Sequence, residues 1–247
     1  MVRLWIFACA ASVLLSTEVA AQSRTRIWDI AMGTTVDALP ADELVDPSCG
    51  TNGGPPSLTL DRFADFRRCP VERASGLREV WFIYDDEWEY IARAQRDERD
   101  IKRYSANDFY GQPVITSLLI DADGRVQGYR VVTDPRAPAE VRVGAYVVAG
   151  VLKSFYSFGT WTCIDLPRDE RELPIDDVYI KQSCEMATSD RLLKLETRHL
   201  LKPGQDARVN ERNLTEAKND FESSTRLEFY ARDAVKDAPC CQASARP

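Results

Sequence analysis

The stretch Arg78-Glu79-Val80-Trp81-Phe82-Ile83-Tyr84 decides how this chain is read. Val80, Phe82 and Tyr84 alternate with Trp81 and Ile83, which is the two-residue period of a strand. Both sides are apolar, so the strand is expected to be central in its sheet. Outward from it, residues 113–120 and 125–133 read as a hairpin across Asp121-Ala122-Asp123-Gly124, and further strands are expected at about 177–186, 191–201 and 223–230.

Two long helices are expected among these strands. The first runs from about 86 to 104, with Asp86 as N-cap and Glu89 completing a capping box. The second covers about 139–155, after the breakers Pro135 and Pro138. Val143, Val147, Val151 and Phe155 recur there at four-residue steps, with Val148, Leu152 and Tyr156 as the adjoining stripe. Shorter pieces are an edge strand at 27–30, a Thr-capped helix at 35–39, and an amphipathic helix at 58–68 carrying Leu60, Phe63 and Phe66. Pro47 to Ser57 reads as an irregular loop, lacking the lysine-serine ending of a phosphate loop. The expected fold class is α+β: a mostly antiparallel sheet with two long helices packed on a face. It forms a single domain over 22–232 or two lobes, 22–134 and 135–232. Residues 233–247 read as a flexible tail.

The beginning of the chain reads as a secretory signal peptide over residues 1–21. Arg3 precedes an apolar run from Leu4 to Leu15, and Val19-Ala20-Ala21 presents small residues for cleavage between Ala21 and Gln22. The run is too short to span a bilayer, so no integral membrane span is expected. A periplasmic or secreted location follows, where cysteines oxidise. Beyond residue 21 stand Cys49, Cys69, Cys163, Cys184, Cys240 and Cys241. Spacing suggests local disulfides Cys49–Cys69 and Cys163–Cys184, since zinc sites place cysteines closer together with histidine nearby. Cys240 and Cys241 suit an intermolecular or vicinal bridge, or a tail without a role.

The net charge of −7 argues against nucleic acid and anionic membrane surfaces as partners. His199 is the single histidine, on an expected strand, and no G-x-S-x-G or H-E-x-x-H pattern occurs. No residue is singled out as catalytic, metal-binding or cofactor-binding. Asp121 to Gly124 lacks the twelve-residue calcium-loop pattern, Val132 standing where its glutamate would be. Carboxylates at Asp85, Asp86, Glu87, Glu89, Asp121 and Asp123, with Trp81, Trp88 and Trp161 for stacking, keep a glycan hydrolase as the alternative reading. The leading expectation is noncatalytic binding of a periplasmic protein or envelope component.

At Trp28-Asp29-Ile30, at Cys49 through Ser57 and at Phe221 through Arg226, the chain resembles a set of uncharacterised exported alphaproteobacterial proteins. That resemblance implies export and no particular activity. Gly33-Thr34-Thr35-Val36 before a later sheet is also similar to small periplasmic helix-plus-sheet modules used for protein contacts, including beta-lactamase-inhibitor-like domains.

Overall fold

A computed structural model describes residues 25–104, 107–203 and 221–235. The signal segment with its Ala21–Gln22 junction, the Cys240–Cys241 pair and most of the expected tail lie outside the described residues.

The strands are β1 (Leu44–Cys49), β2 (Arg78–Tyr84), β3 (Asp108–Phe109), β4 (Gln112–Ile120), β5 (Val126–Thr133), β6 (Thr162–Asp165), β7 (Ile180–Ala187), β8 (Arg191–Leu201) and β9 (Phe221–Ala231). They form one antiparallel sheet in the order β1-β2-β4-β5-β9-β8-β7-β6, with β3 paired to β4. β5 pairs β9 from Gly128↔Tyr230 to Val132↔Arg226, so the sheet runs unbroken across position 134. The longest ladder, β8 with β9, matches residue against residue from Arg191↔Ala231 to Leu201↔Phe221. Leu193 and Leu195 therefore share a face with Phe229 and Leu227, and a one-residue slip would turn all four to the opposite face.

The expected pair of long helices is overturned. The helices are α1 (Glu87–Gln95), α2 (Glu98–Tyr104), α3 (Ala139–Arg142) and α4 (Val148–Phe155). Asp97 splits the first: its Oδ1 accepts the Arg99 and Asp100 N–H groups, while Arg96 turns left-handed at φ 58°. An aspartate that offers its own side chain to backbone donors starts a new helix in place of extending the old one. Gly144 and a 3-10 turn at Ala145–Val147 divide the second. Its buried stripe is Val148, Ala149 and Leu152, continuing to Tyr156, whereas Val147 and Phe155 are exposed. The expected capping box fails too, because the Asp86 side chain caps nothing and Asp85 Oδ1 accepts the Glu87 N–H instead.

Other expectations shift locally. Residues 27–29 form a 3-10 turn in place of an edge strand, and 58–68 shortens to a 3-10 helix at Phe63–Arg68 with Phe63 and Phe66 buried. The turn at Val36–Ala38 receives no side-chain cap from Thr35. β1 takes the place of the first part of the expected loop, although it holds Pro47. It bulges between Val45 and Ser48 with Asp46 at φ 53°, which is where a strand tolerates proline. Its outer edge is covered by residues 57–60 through Cys49 N–H to Leu58 O, Ser57 N–H to Cys49 O and Leu60 N–H to Pro47 O.

One face of the sheet carries the main core. Val80, Phe82, Leu118, Tyr129, Val131, Leu193, Leu195, Leu227 and Phe229 meet Ile27, Phe66, Leu152 and Tyr156 there. The opposite face carries charge at its centre. Arg130 is 2% exposed and its guanidinium meets Glu72 at 2.8 Å, Glu79 at 2.9 Å and Glu228 at 2.9 Å. Glu79 also accepts the Asn52 and Gly53 N–H groups, and Arg226 donates to Asn52 O at 2.7 Å. The Gly-rich loop thus lies over the ion cluster. A Cβ at Gly50 would collide with the Glu79 side chain, so glycine is the residue that permits this approach. The Cys49–Cys69 disulfide ties the start of the loop to the end of the 3-10 helix, and the Cys163–Cys184 disulfide joins register partners on β6 and β7.

Candidate functional site

Two cavities open on the core face, with Trp28 lining both. The first, about 720 Å³, is walled by Ile27, Trp28, Tyr84, Ile101, Phe109 and Val131, with the exposed Arg26 and Arg93 among its border residues. The second, about 540 Å³, is walled by Trp28, Tyr129, Phe155, Tyr156, Phe158 and Phe229, with Arg191 and Asp190 at its border.

Local structure places these groups. Ile27, 1% exposed, anchors the 3-10 turn that carries Trp28, and Asp29 Oδ2 accepts the Arg26 N–H at 3.0 Å. The segment behind it is bonded to β5 through Gly33 N–H to Val126 O and Val126 N–H to Thr34 O. Between β3 and β4, Tyr110 and Gly111 both have positive φ, the conformation a tight hairpin needs, which sets Phe109 edge-on to Trp28 at 5.7 Å. Phe155 and Tyr156 come from the end of α4, where Trp161 Nε1 donates to Tyr156 O at 3.2 Å. Phe155 lies 5.4 Å from Trp28, and the Tyr129 and Tyr156 hydroxyl oxygens are 2.6 Å apart.

The acids singled out in the sequence do not meet in either cavity. Asp85 serves the start of α1, Glu89 pairs with Arg93 at 2.6 Å, and Asp121 Oδ1 accepts the Asp123 and Arg125 N–H groups of its turn. Trp88 is exposed on α1, and Trp81 and Trp161 line neither cavity. Among the described residues, no three His, Cys, Asp or Glu side chains gather as metal ligands, and no helix is long and apolar enough to cross a membrane.

His199 is 4% exposed beneath the Tyr146 ring, their centroids 4.1 Å apart. Its Nδ1 lies 3.2 Å from Ser223 Oγ. That hydroxyl donates to Val143 O at 2.8 Å and accepts the Tyr146 N–H at 3.3 Å. With its one proton used, Ser223 accepts a hydrogen bond from His199 Nδ1–H, which sets the histidine tautomer. The pair clamps the 143–147 turn onto the sheet, helped by Thr225 Oγ1 donating to Ala145 O at 2.8 Å. It is not an activated nucleophile. Burial pushes the imidazole below its ordinary 6.5, against an opposing pull from Asp176. The unfolded chain then binds the proton more readily than the fold. Stability is complete above about 6.5 and declines as pH falls toward the folded-state value, at no more than about 1.4 kcal/mol per pH unit. Urea unfolding between pH 5 and 7.5 is expected to show this slope in the wild type and its loss in His199→Gln.

Sequence reading missed Trp28 as a wall residue because the turn that presents it looks like an edge strand. It also missed Arg130, although an arginine and Glu79 inside otherwise apolar strands were the available signal. Compared with known proteins, the chain matches no family model, no curated protein and no solved structure.

Proposed function

We propose that this is an exported, noncatalytic binding protein whose aromatic cleft holds an apolar component of the cell envelope. The observation that carries the reading is the pair of cavities sharing Trp28. Concave, largely apolar spaces of about 300–1,000 Å³ are what small-ligand sites require. Export is supported by the two disulfides, which persist in oxidising compartments, and by the leader pattern of residues 1–21. The glycan-hydrolase alternative gains nothing from the geometry, because Asp85, Asp86, Glu87 and Glu89 line neither cavity.

The test is titration of the folded protein with N-phenyl-1-naphthylamine, a neutral dye that brightens in apolar surroundings. A saturable rise at micromolar dye is expected. Trp28→Ala, which removes the shared wall, is expected to weaken binding about tenfold, roughly 1.4 kcal/mol. Trp88→Ala, on the exposed side of α1, is expected to leave it unchanged. Absence of saturable binding, or equal effects of the two substitutions, would overturn the proposal.

A further inference from the structure

Tyr129 enters the second cavity from β5 and Tyr156 from the end of α4, and both side chains are more than nine-tenths buried. Burial pushes Tyr156 up to about 12 and Tyr129 above its ordinary value as well. Both hydroxyls therefore carry a proton near neutral pH. Two phenols bring two protons to the single 2.6 Å contact between them. One proton joins the oxygens. The other has no acceptor among the described residues, and buried donors are rarely left so.

The walls define what could supply that acceptor. Phe229 stacks on Tyr129 with centroids 4.7 Å apart, Phe155 stands edge-on to Tyr156 at 4.8 Å, and Trp28 lies beyond Phe155. Aromatic faces arranged this way suit a flat apolar body. At the border, Arg191 lies over Phe158 and Phe229, and its Nε is bound to Asp190 Oδ2 at 3.0 Å. Asp190 offsets Arg191, and the Asp29 carboxylate also acts on both phenols, so the entrance offers an anionic ligand no net attraction.

We propose that this cavity takes a neutral, flat apolar ligand bearing a hydrogen-bond-accepting oxygen, such as an aryl ketone, which accepts a hydrogen bond from the spare phenolic O–H. The inference rests on the cleft being a ligand site and names the chemistry of that ligand.

Calorimetric titration of the full chain with 2-acetylnaphthalene and 2-isopropylnaphthalene tests it. The two probes have nearly the same shape, and only the ketone accepts a hydrogen bond. In the double variant Tyr129→Phe with Tyr156→Phe, ketone affinity is expected to fall about tenfold while hydrocarbon affinity stays within about twofold. Removing both hydroxyls together keeps the ring shapes and leaves neither one orphaned, and a thermal melt checks the fold. The carbonyl stretch of 2-acetylnaphthalene bound to the wild type gives a second measure that needs no variant. A shift to lower frequency is expected. An unshifted carbonyl, or equal changes for the two probes, overturns this inference and leaves the cleft a binding site. If neither probe binds the wild type, this inference falls, and the dye titration decides the proposed function separately.

Discussion

Arg130→Met is expected to cost about 3–5 kcal/mol of stability, and urea unfolding measures it. Arg130 is 2% exposed and holds three carboxylates, those of Glu72, Glu79 and Glu228. Burial alone would lower its pKa, but the three glutamates outweigh that and raise it. Methionine keeps much of the volume and removes the charge. Glu79, 3% exposed, is then left with the Asn52 and Gly53 N–H groups and no cation in contact. The pH dependence should also change. In the wild type, burial would raise the Glu228 pKa, but Arg130, Arg226 and Tyr230 together lower it. That contribution is present above about 4.5 and lost as pH falls. In the variant Glu228 keeps Arg226 and Tyr230 but loses Arg130, so this acid-labile contribution is expected to shrink. Adding Glu79→Gln to Arg130→Met should recover part of the loss, the signature of a coupled pair. A loss below about 1 kcal/mol would show that solvent or loop rearrangement replaces the arginine.

Replacing Cys49 and Cys69 together with alanine is expected to cost about 3 kcal/mol, from freeing a loop of 20 residues in the unfolded chain. Both cysteines are fully buried, so native contacts are lost as well. The disulfide also fixes the start of the loop whose Asn52 and Gly53 hydrogen-bond Glu79. The Cys163–Cys184 pair closes a loop of similar length, 21 residues, but it joins neighbouring strands at the edge of the sheet, where β6 is exposed throughout. Removing the second pair should therefore cost less than removing the first. Thermal unfolding of the two double variants orders them, and the reverse order would mean that the ion cluster does not depend on its loop.

The strands were legible wherever an apolar alternation lasted several residues. β2, β4, β5, β8 and β9 all appear within a few residues of their expected limits, since the period of two is a property of neighbouring side chains. The helices were less legible. Nothing in the apolar spacing of 86–104 marks Asp97 as a stop, because the competing bond from its carboxylate leaves the spacing intact. The same holds for the face of α4. Two stripes of similar hydropathy were available, and packing against the sheet chose Val148 and Leu152 over Val147 and Phe155.

The cleft was hidden for a further reason. Its walls come from the turn at Trp28, from β5, from α4 and from β9, and no local pattern links them. Local alternation by itself determined that a mostly antiparallel sheet would form and where its long strands would run. Tertiary structure alone decided that Arg130 meets glutamates 58 and 98 residues away, and that Tyr129 and Tyr156 share one hydrogen bond. The period of a strand is set by bonds between adjacent residues. The pairing of distant side chains is set by register across the sheet, and that exists only once the strands have met.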